Sequence, residues 1–137
     1  MGNTASTKYI NFEDMQVAIA NKEYLIINTL VATQQACLIA GTLNMKNEEE
    51  ILNTYLKTNR EVRIIIYGIN GTDPNINKKY DQLIALGFSQ VFIYNGGLFE
   101  WLLLQDIYGK ESFLTTTIER DILKFKGRPL FNVRLLE

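Results

Sequence analysis

Six residues, Gly68–Asp73 (GINGTD), stand where an enzyme built from alternating strands and helices would place its reacting groups. They follow directly on the apolar run Val62–Tyr67 (VRIIIY) and lead straight into Asp73-Pro74, a capping residue followed by a proline suited to the first helical position. A glycine-bearing loop ahead of a helix N-terminus can hold a small anion through backbone N–H groups alone. The side chains of Gly68, Ile69, Asn70, Gly71, Thr72 and Asp73 point to something else. Gly68, at the head of the loop, carries no nucleophile, and Asp73, at its foot, would repel an anion or cap the helix itself.

The rest of the chain offers few replacements. There is no histidine, and Cys37 is the single cysteine among 137 residues, so Ser-His-Asp and Cys-His catalysis, histidine metal sites, multi-cysteine zinc sites and internal disulfides are all excluded. The neighbours of Cys37 are Ala36, Leu38, Ile39 and Ala40, an apolar setting that predicts a buried, inert thiol. The acids Glu13-Asp14 and Glu48–Glu50 fall at predicted helix starts, where capping and the helix dipole account for them. No cofactor is expected. A formal net charge of −1 leaves no global basic field to gather a nucleic acid. Asn70-Gly71-Thr72 fits the glycosylation acceptor pattern but reads as loop chemistry in the absence of a secretory leader.

The sharpest local motif is at the start. MGNTAS places Gly2 after Met1 and Ser6 where the N-myristoylation pattern requires a hydroxyl residue. A single acyl chain binds a bilayer with an association constant of only about 10⁴ M⁻¹, so attachment to a cytoplasmic membrane face would need a partner, self-association or a further modification to persist. The C-terminal Arg120, Lys124, Lys126, Arg128 and Arg134 make the tail basic, which predicts a solvated face with a membrane-surface or acidic-partner patch as the alternative.

These residues need a scaffold. Asn11 and Asp14 predict a capped helix ending near Asn21, with Phe12, Met15 and Ile19 on one side. Tyr24–Thr29 (YLIINT) reads as a strand and Ala36–Asn44 as an apolar stretch broken by Gly41. Met45–Arg60 is predicted helical, capped by Asn47, with Ile51, Leu52, Tyr55 and Leu56 inward. The run Val62–Tyr67 reads as a strand covered on both faces, then Pro74–Leu86 as a helix burying Ile76, Tyr80, Leu83 and Ile84 and ending at Gly87. Gln90–Tyr94 is a further strand, and Asn95-Gly96-Gly97 turns the chain into a helix, Leu98–Ile107. That helix is apolar almost all round, which predicts two covers: the sheet, and a C-terminal helix opened by a Thr116/Glu119 capping box and carrying Ile118, Ile122 and Phe125.

The order of these segments resembles a rhodanese-like domain. Tyr24–Leu30 (YLIINTL) is similar to that family's strand ending Asp-x-Arg, with Asn28 and Leu30 at the two positions. Cys37–Asn44 (CLIAGTLN) is similar to its Gly-His-Ile-Pro-Gly-Ala-Ile-Asn stretch, keeping Ile39, Gly41 and Asn44 but with Leu38 for the histidine. Leu86–Trp101 (LGFSQVFIYNGGLFEW) resembles its Gly-Phe, Val, Tyr, Gly-Gly and Trp positions. In active members the loop opens with a cysteine that carries sulfur as a persulfide, and it usually holds a basic residue; the resemblance puts Gly68 at the cysteine position and Asp73 at the sixth.

The expected fold is therefore α/β, rhodanese-like, with a mainly parallel central sheet and helices on both faces. Residues 1–8 are expected to form a flexible N-terminus with the lipidation site Gly2, residues 9–108 the rhodanese-like domain, and residues 109–137 an extension packed on it. The expected function is a non-catalytic binding or scaffolding module for a protein partner, tethered to a membrane by a myristoyl group. The alternatives are a sulfurtransferase or phosphatase-like enzyme using Cys37 or a partner's thiol, and a domain without lipid whose loop binds a metabolite.

Overall fold

The computed structural model describes residues 7–131. Gly2, Ser6 and Arg134 lie outside the described residues. Four strands, β1 (Lys8–Ile10), β2 (Tyr24–Asn28), β3 (Arg63–Tyr67) and β4 (Val91–Tyr94), alternate with four helices, α1 (Phe12–Ala20), α2 (Glu48–Thr58), α3 (Pro74–Leu86) and α4 (Gly97–Tyr108). The strands form one parallel sheet in the order β1-β4-β3-β2. The β3 strand lies in its interior, and the run of β-branched residues there follows from burial on both faces. Ile64 and Ile66 face a core shared with Leu52 of α2 and Ile76 and Leu83 of α3. Ile65 and Tyr67 face a second core shared with Met15 and Ala18 of α1 and Leu98, Trp101 and Leu102 of α4. The expected parallel sheet with helices on both faces is what the chain forms.

Local signals set most boundaries. Asn11 and Asp14 make a reciprocal capping box at the start of α1. Asp73 caps α3, Pro74 opens it, and Gly87 ends it in the left-handed conformation. Every strand of a parallel sheet points the same way, so the loop Gly68–Asp73 sits with the other β–α connections at the carboxyl edge.

Four expectations need correction. The helix expected over Met45–Arg60 is shorter, Glu48–Thr58, and Asn47 makes no side-chain cap; Asn44 makes the entry turn instead, its side chain accepting from Lys46 N and its carbonyl from Asn47 N. The apolar stretch Ala36–Asn44 is broken at Gly41, as expected, and touches the sheet through a single parallel bridge between Ile26 and Thr42. Ile84 is 43% exposed, because the buried stripe of α3 runs through Ile76 and Leu83.

The C-terminal helix is absent among the described residues beyond one 3-10 turn, Ile122–Phe125. Thr116 cannot cap a helix because it is committed elsewhere: its hydroxyl accepts from Leu38 N at 3.0 Å and its own N–H donates to Leu38 O at 2.8 Å. The segment from Phe113 to Asp121 is irregular, bending at Phe113, Thr116 and Thr117, with an antiparallel bridge between Ile39 and Thr115. It covers the side of α4 already turned inward. Trp101 Nε1 donates to Leu114 O, Gln105 Nε2 donates to Phe113 O, and the Phe113 ring packs edge-on against Trp101 at 5.0 Å. The other side of α4 is bare among the described residues: Leu103 is 36% and Ile107 67% exposed.

Candidate active loop

The loop is braced from four directions, and each of its groups has an internal task. Gly68 O accepts from Leu98 N and Ile69 O from Phe99 N, both at 2.9 Å, so the loop's first two carbonyls satisfy amides in the opening turn of α4. Gly97 makes this approach feasible: at φ +68° it has the backbone that side chains avoid, and a Cβ there would stand 2.7 Å from Gly68 O. The Ile69 side chain packs on the core shared with α4.

Asn70 is buried, and its amide ties two elements together. Its Oδ1 accepts from Thr72 N and the Thr72 hydroxyl, while its Nδ2 donates to Phe125 O at 2.9 Å. The acceptor pattern at Asn70 is thus a buried loop-to-tail tie in the folded chain. Gly71 lies against the β4–α4 turn, where a Cβ would stand 2.8 Å from Asn95 O.

Asp73 closes the loop. Its Oδ1 accepts from Asn75 N at 2.9 Å and its Oδ2 accepts from the Thr29 hydroxyl at 2.8 Å, linking the foot of the loop to the end of β2. The same Oδ2 lies 2.6 Å from the point where a Cβ on Gly68 would be, and two carbons of the Ile76 side chain lie 2.9 Å from that point. The head of the loop therefore has no nucleophile, and a side chain placed there would have to displace the ends of Asp73 and Ile76. The carboxylate needed to cap α3 fills the volume.

The other expected residues fall nearby but do not converge on it. Asn28 is buried, its Oδ1 accepting from Leu30 N and Gln35 Nε2 and its Nδ2 donating to Gln35 Oε1. Leu30 and Leu38 are core residues. Cys37 is 4% exposed, and its thiol donates to Thr117 O at 3.4 Å from beneath the C-terminal segment. Tyr67, at the end of β3, has its hydroxyl between Thr42 Oγ1 at 2.7 Å and Ile39 N at 3.1 Å, and burial pushes its ionisation well above the ordinary phenol range. Burial, and then a hydrogen bond donated to Glu100, do the same for Tyr94. Both phenols are structural neutral donors.

Sequence reasoning missed who builds the far wall. The tail crosses the carboxyl edge of the sheet and, with Thr29–Val31 and the loop, encloses an open cleft of about 710 Å³ lined by Lys124, Lys126 and Arg128. Lys124 pairs with Glu119, which raises the lysine's pKa and lowers the acid's. The signal was a run of alternating cations, but its position over the loop depends on the Asn70–Phe125 bond, across 55 residues of chain. No group of three or more His, Cys, Asp or Glu side chains able to hold a metal ion occurs among the described residues, and no described helix is long and apolar enough to cross a membrane.

Comparison with known proteins places this geometry. The profile of the rhodanese-like domain family matches residues 13–104. Among solved structures, the rhodanese-like domain of an Anabaena protein superposes with a TM-score of 0.58 at 18% identity, covering 93% of this chain and 92% of that one. A single-domain sulfurtransferase of Saccharomyces cerevisiae gives 0.54 at 16%, covering 78% and 98%, and the As-Sb reductase of Leishmania major gives 0.56 at 14%, covering 75% and 79%. At such identities these structures share the fold alone. No curated protein matches the chain by sequence. The family profile spans well over half of the chain, from α1 through most of α4, and the chain belongs to the rhodanese-like domain family.

Proposed function

We propose that this rhodanese-like domain is a non-catalytic binding module, tethered to a membrane through an acylated Gly2 and acting through a protein partner. One observation carries the first half: the volume that a side chain on Gly68 would need is occupied by the Asp73 carboxylate and the Ile76 side chain. This niche is closed by a carboxylate with two hydrogen bonds of its own. The thiol that remains, Cys37, lies under the C-terminal segment, away from attacking substrates. The M-G-x-x-x-S start supports the tether.

The test is a thiosulfate sulfurtransferase assay on the full chain, with intact-mass analysis for a persulfide. Turnover and persulfide formation equal to those of Cys37→Ala are expected. Turnover that disappears in Cys37→Ser would replace this reading with an enzyme using that thiol. Affinity purification of the wild type against Gly2→Ala, with mass spectrometry of bait and prey, tests the acyl group and the partner together. An unchanged bait mass after co-expression with a myristoyltransferase would remove the tether.

A further inference from the structure

The chain segregates its charge. Residues 1–121 carry ten Lys and Arg against fourteen Asp and Glu, whereas Ile122–Phe131 (ILKFKGRPLF) carries three cations and no acid. Within this stretch the apolar side chains divide into two sets. Phe125 is buried in the core, Ile122 packs against it, and Phe125 O is held by Asn70. Leu123, Leu130 and Phe131 point away and are 61%, 92% and 85% exposed. The inward set and the loop bond fix the segment on the domain; the outward set packs little against the other described residues. Lys126 and Arg128 are exposed between these apolar side chains, and Lys124 lies beside them over the Phe125 ring, paired with Glu119.

From this arrangement we propose that Ile122–Phe131 is a docking surface for an anionic lipid bilayer, with Leu123, Leu130 and Phe131 entering the interface and Lys126 and Arg128 meeting the headgroups. The charge is complementary, and the apolar side chains project singly instead of lining a groove. A bilayer accepts such side chains without a matching shape, whereas a folded acidic partner requires one. Cations held within a Debye length of an anionic surface add to the apolar insertion. The proposal deepens the membrane half of the function above by supplying the second signal that a single acyl chain needs.

Its test does not use the acyl group. Unacylated full-length protein is co-sedimented with vesicles of phosphatidylcholine alone, and with vesicles containing about 30% phosphatidylserine, a composition that imposes a negative surface potential. Binding is expected to the anionic vesicles only, to weaken as salt is raised, and to fall about tenfold or more in Lys126→Glu/Arg128→Glu. Leu130→Ser/Phe131→Ser is expected to lower it by about threefold or more at unchanged charge. All four positions are exposed, so unaltered circular dichroism is expected for each variant. Equal binding to both vesicle types, retention of binding in Lys126→Glu/Arg128→Glu, or capture by a soluble poly-glutamate peptide with no vesicle binding would overturn the proposal. Because the protein carries no acyl group, a failure of Gly2 modification leaves every one of these outcomes unchanged.

Discussion

Asp73 Oδ2 lies 2.6 Å from where the Cβ of any side chain at position 68 would stand, although the two residues are at opposite ends of the loop. Gly68 and Asp73 are therefore one decision. A real Cβ does not approach an oxygen so closely, so Gly68→Cys must push the carboxylate off Asn75 N or Thr29 Oγ1. Overpacking of this kind costs about 1–3 kcal/mol. The single variant is expected to lose that stability in urea denaturation and to show no sulfurtransfer. Adding Asp73→Ser, which shortens the side chain and keeps an N-capping oxygen, is expected to be less costly in the Gly68→Cys background than in the wild type, by about 1 kcal/mol in a double-mutant cycle. Additive losses would show that the two residues do not share this volume.

The cap itself can be weighed. Asp73→Ala removes the acceptor for Asn75 N and strands the Thr29 hydroxyl, and losing a helix N-cap costs about 0.5–2 kcal/mol. Asp73→Asn keeps an oxygen for Asn75 N and is expected to cost less. Equilibrium denaturation of both, with Thr29→Val as the partner deletion, checks the order; an Asp73→Ala variant as stable as wild type would mean that the carboxylate holds nothing.

Cys37 gives a kinetic prediction. With 4% of its surface exposed, its thiol is expected to react with a disulfide reagent at a rate set by opening of the C-terminal segment, far slower than in denaturant. Thr116→Val, which removes the hydroxyl accepting from Leu38 N, is expected to speed the native reaction. Immediate stoichiometric labelling of the wild type would place the thiol at the surface.

How much of this was written in the sequence depends on the reach of each signal. The bounds of the loop and of α3 were legible because their determinants are adjacent in the chain: β-branched residues, then glycine, then Asp-Pro, then Gly87. The α1 capping box, three residues across, was equally plain. The tail was misread because Thr116 and Glu119 form a valid local cap pattern, while the partner that claims Thr116 is Leu38, 78 residues away. The three residues of β1 are too few to show a period. The absent nucleophile could be read from Gly68 alone, but the closed niche could not, since it depends on which way Asp73 and Ile76 turn.

Tyr67 and Tyr94 predict the alkaline limit of the fold. Burial raises both phenols above the ordinary 10.0, and Tyr94 is raised further by its bond to Glu100. A group whose folded pKa is raised keeps its stabilising effect below the unfolded pKa and loses it as pH rises from there toward the folded one. Above pH 10.0 the unfolded chain releases these protons while the native chain retains them. Unfolding free energy should therefore fall by about 1.4 kcal/mol per pH unit for each tyrosine. Tyr94→Phe should roughly halve that part of the slope, though it loses the Glu100 bond at every pH. Urea titrations across this range check the slope, and a stability unchanged well above pH 10.0 would mean that the two hydroxyls are already open to water.

Phe113 tests whether the segment after α4 belongs to the core. It lies 3% exposed between Trp101 at 5.0 Å and Phe12 at 5.7 Å, bridging α4 and α1 although it falls beyond the family match, which ends at residue 104. Truncating a buried phenylalanine costs about 3–5 kcal/mol, a large share of the 5–15 kcal/mol typical of a domain's whole stability. Phe113→Ala is expected to lose that amount in chemical denaturation, and to red-shift the emission of Trp101, the single tryptophan, as water reaches the indole. Phe113→Leu, which keeps most of the volume, should recover much of it. If Phe113→Ala unfolds at the wild-type midpoint with unshifted emission, the segment is an appendage and the domain is complete without it. A large loss makes Phe113 the point at which the extension becomes part of the fold, and the Leu38–Thr116 and Asn70–Phe125 ties downstream then hold a tail already anchored by that ring.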